Sequence, residues 1–447
     1  MATLLLLGAS PVMAQSPKPA ATAKSGKAVK AEKPVAQPPV PQDITLRHGL
    51  AGAPLDKLAT LALRFNDEEA KRKTDIGRIV LEDVQGVAEK SRLPQLALFD
   101  YDDTMAMFGT RPRFLPLHRV MDAGKQRFDP KVFYPQMFDA VEDVAGKMQA
   151  LPLAMSLPVL FYNKAAFTQA KLDPDQPPKT WWELQEVAGA LRESGSKCPL
   201  TSSRFAWIHL ENIASQHNEP LVVKQGKEDR LALNNMVNVK HIALLTSWHK
   251  SFYFIYSGPG REGDERFIGG ECAMLTGESA LYARIAREKP DFPLGMALLP
   301  HYDDVYGARP AHVLPEGAAL WVLAADKKPE QQVIARFITF LMQPDVQREW
   351  VRATAFLPMS PAAVQALRET GGNPALLNRA EQRLSMTKRD AARTKNGFGR
   401  SRIRNILNEE IEFVWGDKKP AKEALDTAVV RARTVLSPPA TTASAKR

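Results

Sequence analysis

Few short stretches of this chain combine residue types and spacings that could do chemistry. Ser385 and Lys388 in SMTK match the S-x-x-K of serine acyl-enzymes, but the S-D-N and K-T-G partner motifs are absent, so the match reads as chance. No G-x-S-x-G, P-loop or dinucleotide glycine fingerprint occurs. The eight histidines are scattered without ligand spacing, and Cys198 and Cys272 fit no zinc motif. No metal and no cofactor is expected. Carboxylates are common, yet no pair is marked by its surroundings as an acid–base couple. Tyr101, Asp102 and Asp103 stand out by position, because they end the apolar run of LPQLALFDYDD over 93–103. Ligands of parallel α/β sheets collect beyond the carboxyl ends of strands. These three residues are therefore site candidates, and equally well a solvated turn.

The elements that would position such residues alternate along the chain. DITLRH begins a strand over 43–50, and 53–72 follows as a helix with Leu55, Leu58, Ala62 and Phe65 on one face. LPVLFY over 157–162 is a second kind of apolar run, short enough for a buried strand. After it, Pro174, Pro177 and Pro178 forbid helix. Thr180 stands three residues before Glu183, the capping-box spacing that opens a helix, and Gly195 closes it. Further strands are expected within 266–278, 292–300 and 317–326, and a helix pair broken at Pro344 over 329–354. Near the C-terminus, Ile403, Leu407, Ile411 and Val414 form one apolar stripe and Ala424, Leu425, Ala428, Val429 and Val435 another. Strand–helix–strand alternation argues for parallel α/β layers.

A chain of 447 residues is too long for one ordinary core, so two lobes are expected. With 44% apolar and 25% charged residues it has the composition of a globular protein, and no run of eighteen apolar residues could span a membrane. MATLLLLGASPVMAQS resembles a signal segment (residues 1–14) without its basic start; a disordered N-terminus is the alternative. No cysteine lies near the cleavage point, which argues against a lipid anchor. Residues 15–42 hold five lysines, one glutamate and much Ala and Pro, and read as a disordered tether. That segment carries +4 of the chain's +10, and the remaining excess is scattered without the basic and aromatic stripe that nucleic acid would need. In an exported chain two cysteines usually pair, so a Cys198–Cys272 disulfide is expected, with two buried thiols as the alternative.

The pattern P-V-L-F-Y-N-K followed by P-P-K-T-W over 158–181 resembles the solute-binding proteins of ABC importers. WIHLEN (207–212), ERFIGGECAM (265–274), GAALWV (317–322) and the segment 403–432 narrow the resemblance to the glycerol-3-phosphate-binding kind, within extracellular solute-binding protein family 1. It runs in order over most of 44–436 and includes both cysteines. The resemblance implies a two-lobed periplasmic binding protein fold with a ligand cleft between the lobes and three interlobe crossings. Residues 43–155 with 317–358 would form the first lobe, 156–316 with 359–436 the second, and 437–447 a disordered tail. It further implies that Ser156, Gly317 and Arg404 contact the ligand, Arg404 pairing with phosphate. Glu278 stands where the family has a phosphate-contacting serine and Phe356 where it has a tyrosine. Tyr101, beside Asp102, replaces a glutamate, Gln216 an aromatic, and Arg47, beside His48, a tryptophan.

By this resemblance the chain is expected to be a monomeric periplasmic binding protein, not an enzyme. It would close on glycerol-3-phosphate or a glycerophosphodiester and deliver it to an inner-membrane ABC permease with its ATPase. A neutral sugar or polyol is the alternative ligand; a ligand-sensing lobe for a membrane receptor, or a phosphodiester hydrolase for which no motif speaks, are the alternative roles.

Overall fold

Among the described residues, eleven strands build three sheets: β1 (Gln42–His48), β2 (Gly77–Asp83), β3 (Leu96–Asp100), β4 (Leu151–Ser156), β5 (Pro158–Asn163), β6 (Cys198–Ser202), β7 (Val222–Gln225), β8 (Glu228–Leu231), β9 (Cys272–Glu278), β10 (Leu294–Leu298) and β11 (Glu316–Val322). The computed structural model describes residues 42–72, 77–86, 92–100, 114–139, 141, 147–226, 228–289, 291–304, 312–369, 377–378, 380–381, 384 and 400–436. The expected signal segment, the tail and, apart from Gln42, the tether lie outside them, as do Tyr101, Asp102, Asp103 and the SMTK stretch.

The first lobe is built on the sheet β2-β1-β3-β11-β4 and the second on β10-β5-β9-β6, with β7 and β8 as a separate hairpin. The expectation of parallel layers holds only in part. β1 pairs parallel with β2 and β3, but β11 runs antiparallel to both β3 and β4, and β5 antiparallel to β9 and β10. The reason is connectivity: β11 follows β10, a strand of the other sheet, and is placed beside β3 and β4 rather than reached from either by a crossover helix.

The change of sheet is abrupt. β4 ends at Ser156 and β5 begins at Pro158, so Leu157 alone separates strands of different sheets. Leu157 is fixed from both sides: its N–H donates to Ser279 Oγ at 3.0 Å and its carbonyl accepts from Ser279 N–H at 2.8 Å. The second change of sheet lies between β10 and β11. The third was expected near 359, but Val364 and Leu367 of the helix Pro361–Glu369 pack in one cluster with Trp350 and Met359. Ile403 joins the other cluster. That helix belongs by packing with the first lobe, because its apolar face meets the helix Pro344–Thr354.

Local expectations are met by local chemistry. Thr180 Oγ1 accepts from Glu183 N–H at 3.1 Å and Glu183 returns a bond to Thr180 N–H, capping the helix Trp181–Glu193. Residue Gly195 follows with φ 100°, a conformation that favours glycine. Cys198 and Cys272 are register partners of the parallel pair β6 and β9 and form a disulfide, Cα–Cα 4.5 Å. No helix among the described residues is long and apolar enough to cross a membrane.

Candidate functional site

Three guanidinium groups and three carboxylates alternate where the two sheets meet. Arg261 is bidentate on Glu278, with Nη2 3.1 Å from Oε2. Arg204 bridges Glu278 (Nη1 to Oε2, 3.0 Å) and Glu316 (Nη2 to Oε1, 2.6 Å). Arg404 donates through Nη1 and Nη2 to both oxygens of Glu316, and through Nε and Nη2 to Glu211 at 2.5 and 2.7 Å. The chain of contacts runs Arg261, Glu278, Arg204, Glu316, Arg404, Glu211, and its formal charge sums to zero. It is graded in depth: the Arg261 side chain is 54% exposed, Arg204 and Glu278 11%, Arg404 6% and Glu316 3%.

Each member is held by an identifiable local device. Glu278 is the last residue of β9 and the register partner of Pro158. Glu316 opens β11 opposite Ser156 of β4. Its approach is pinned two residues earlier, where Leu314 N–H donates to Asn212 Oδ1 at 2.9 Å and Leu314 O accepts from Trp207 Nε1 at 2.9 Å. Trp207 and Asn212 bound a π-helical turn that also carries Glu211, and all its residues are buried. Such widened turns recur at functional sites. Arg204 has φ 49°, rare for a side chain with a Cβ, and its guanidinium lies 4.9 Å from the Trp207 ring centroid. Arg404 follows Ile403 on the helix Arg400–Trp415, whose stripe Ile403, Leu407, Ile411 and Val414 is buried and fixes its rotation.

Burial opposes charge throughout the cluster, and pairing overcomes it. It works against the Arg404 charge, but Glu211 and Glu316 outweigh it and hold this guanidinium well above its ordinary pKa. Glu278 is likewise penalised by burial, yet Arg261 and Arg204 keep it below the usual carboxylate value. Asp264, in the helix Glu262–Ile268, goes the other way. Burial pushes its carboxyl up to about 6, outweighing the opposing contact from Ser203; the Glu278 charge adds a smaller push upward and Arg261 and Arg284 smaller pulls downward.

Of the residues singled out in the sequence, Ser156, Glu278, Gly317 and Arg404 come together here. Ser156 Oγ is buried and has no hydrogen-bond partner among the described residues. Gly317 has φ 151°, and a Cβ there would stand 2.0 Å from Ala154 O, so only glycine keeps β11 this close to β4. Phe356 lies beside them: it stacks on Trp350 at 5.8 Å, and the next residue, Leu357, donates its N–H to Met155 O at 2.8 Å. Tyr101 and Asp102 lie outside the described residues. Arg47 is committed elsewhere, to Glu82 at 2.7 Å and Arg92 O at 3.1 Å. His48 is buried, with its pKa lowered chiefly by burial. Gln216 donates to Leu299 O at 3.3 Å.

Arg204, Arg261, Glu211 and Glu316 were missed. A signal existed for two of them: Glu211 is a charge inside the otherwise uncharged WIHLEN, and Glu316 immediately precedes GAALWV. A charge set in an apolar stretch needs a partner. Nothing local marks Arg204 or Arg261.

The chain has relatives among known proteins. Residues 82–375 match the model of the bacterial extracellular solute-binding protein family. The sn-glycerol-3-phosphate-binding periplasmic protein UgpB of Salmonella typhimurium is 36% identical over 72% of this chain and 75% of its own. UgpB of Escherichia coli is 33% identical over 87% and 91%. The crystal structure of UgpB from Mycobacterium tuberculosis in complex with glycerophosphocholine superposes with a TM-score of 0.67 at 20% identity, over 89% of this chain and 98% of that one.

Proposed function

The chain belongs to the bacterial extracellular solute-binding protein family, and from that premise we propose that it is the periplasmic binding component of an ABC importer for glycerol-3-phosphate or a related glycerophosphodiester. The two lobes close on the ligand by hinge bending about the crossings at Leu157 and before Glu316, and the closed form is handed to the membrane permease. The observation that carries the ligand class is the alternating guanidinium–carboxylate chain beside Ser156 and Gly317. Planar, multidentate guanidiniums suit a phosphate, and Arg204 and Arg261 supply them at the more exposed end of the chain, with Arg404 behind. The relatives named for sn-glycerol-3-phosphate support the same chemistry.

Glu278 tunes which phosphate is taken. An ionised carboxylate beside a phosphate dianion repels it, yet this one already neutralises Arg204 and Arg261. A zwitterionic diester can set its phosphate on a guanidinium and its cationic head group towards Glu278, and so uses both charges.

A thermal-shift and calorimetric screen over glycerol-3-phosphate, glycerophosphodiesters and neutral sugars tests the reading. A true ligand at a hundred times Kd should raise stability by roughly 3 kcal/mol. Glu278→Ser removes the carboxylate that Arg204 and Arg261 share and should tighten glycerol-3-phosphate at least about tenfold, ~1.4 kcal/mol. Tight binding of a neutral sugar, with no response to any glycerol phosphate, would transfer the protein to the sugar-binding members of its class.

A further inference from the structure

Glu316 occupies the place that an anion would take between Arg204 and Arg404. One of its oxygens accepts from both guanidiniums, the other from Arg404 again, and its side chain is 3% exposed. No other carboxylate of the cluster joins two arginines and also comes from the first lobe: Glu316 opens β11, while Arg204 follows β6 and Arg404 lies on a helix of the second core. Beside it stands a buried hydroxyl left without a partner among the described residues, that of Ser156, its register neighbour on β4. Arg204 is aimed at this point by a left-handed backbone and by the face of Trp207. Such strain persists only where the surroundings enforce it.

We propose that Glu316 is a resident counter-ion and a specificity-determining residue of the site, with Arg204 as the second arm of the anion clamp beside Arg404. The inference rests on the phosphate-ester reading above. In the unliganded protein Glu316 keeps two buried guanidiniums neutralised, which spares the cost of unpaired buried charge. A phosphate group that reaches Arg204 must compete with this carboxylate and endure its repulsion. The penalty grows with ligand charge, so a monoester dianion is held back more than a diester monoanion. Glu316 thus biases the site towards diesters, and its removal should shift preference to monoesters.

Calorimetry with glycerol-3-phosphate, glycerophosphocholine and inorganic phosphate on the full chain, wild type and Glu316→Gln, tests this. Glutamine preserves the shape and can still accept from a guanidinium. The expected result is tighter binding of glycerol-3-phosphate and a shift of at least about tenfold in the monoester-to-diester affinity ratio, ~1.4 kcal/mol. An unchanged ratio, or weaker binding of the monoester, overturns the inference while leaving the ligand reading intact. If melting shows that Glu316→Gln does not fold, Arg204→Gln decides: it should move the ratio towards the diester by a similar factor, and an unmoved ratio overturns the role of this pair. If wild type binds neither ester, the ligand reading falls, and inorganic phosphate still judges the counter-ion. It must bind Glu316→Gln more tightly than wild type, or Glu316 is no competitor for anions.

Discussion

From the ends of β6 and β9 two buried polar groups of residues extend into the molecule. In one, Ser202 and Thr276 lie 2.9 Å from His209 Nε2, His209 Nδ1 lies 2.9 Å from His241 Nε2, and His241 Nδ1 lies 2.8 Å from Tyr302 Oη. Trp181 and Phe205 close over these rings. In the other, two residues beyond Ser202 and Thr276, Arg204 and Glu278 begin the charged chain to Arg404. The first group is neutral, fully enclosed and joined atom to atom by hydrogen bonds. The second is ionic, graded from the surface inwards, and leaves Ser156 Oγ unmatched. A buried polar chain that serves the fold has every group paired. One that serves a ligand keeps full charges and an unused hydrogen-bonding group, because its last partner comes from outside. The disulfide Cys198–Cys272 ties together the other ends of the two strands that carry both.

The contrast is broken most directly at Arg404. Arg404→Ala leaves Glu211 and Glu316 buried without their shared cation and should cost about 3–5 kcal/mol, read as a fall in urea midpoint, together with loss of phosphate-ester binding. A variant of near wild-type stability would show that the carboxylates are hydrated and that the network is not the buried assembly described here.

Acid separates the two groups by sign and by range. Burial lowers the pKa of His209 to about 3, of His217 to about 4, and of His241 well below 6.5. Their stabilising contribution is complete above 6.5, the unfolded value, and is lost as pH falls, because the unfolded chain takes up protons that the folded one refuses. Asp264, raised to about 6, opposes them: its folded form gains the proton first, so stability rises as pH falls from about 6 towards 3.8. These three histidines against Asp264 leave a net loss of about 3 kcal/mol per pH unit at the steepest point, and His48, also lowered by burial, adds to it. Glu278, held below 4.5, adds its own loss only below that value. Urea midpoints at pH 7, 5.5 and 4.5 should therefore fall from the first interval onwards, and a flat profile down to pH 4.5 would refute the neutral, enclosed character of the histidine group.

A smaller effect is expected at Tyr302. Tyr302→Phe removes the hydroxyl facing His241 and should cost about 1–2 kcal/mol by leaving a buried ring nitrogen unpaired. Ligand affinity should not change; if it did, the histidine group would belong to the site. Ser156→Ala is the converse. Its hydroxyl has no internal partner among the described residues, so stability should change by less than about 0.5 kcal/mol, while affinity for glycerol phosphates falls. Unchanged affinity would leave the orphan hydroxyl without a ligand to meet.

Much of the scaffold was legible because its causes are local. The capping box of Thr180 and Glu183 needs three residues of spacing, the stripe from Ile403 to Val414 needs one helical period, and the turn at Gly195 needs one missing Cβ. The strand β4 was not read as a strand of its own, because LPLAMSLPVLFYN is almost wholly apolar and no local pattern in it marks the change of sheet at Leu157, which only the family resemblance placed close by, between 155 and 156. The orientation of β11 was also hidden: it depends on which strands it meets, and β3 and β4 are far from it in the chain.

The site divides along the same line. Ser156, Glu278, Gly317 and Arg404 could be nominated by their resemblance to a family pattern, one residue at a time. Their partners could not: Arg404 meets Glu211 and Glu316 across 193 and 88 residues, and Arg204 meets Glu278 across 74. An ion pair depends on a few ångströms of space and is indifferent to separation along the chain, so no short window of sequence contains it. The amino-acid sequence by itself determined the helices with a clear stripe or cap, about half of the strands, the cysteine pair and the family pattern, whose signals lie within a turn or a motif, while the helix Met236–Lys250 and the strands β2, β4, β6, β7 and β8 went unread. The tertiary structure alone decided that Glu278 arrives already neutralised by two arginines, and that Glu316 stands between Arg204 and Arg404, because only folding brings those distant charges into one buried place.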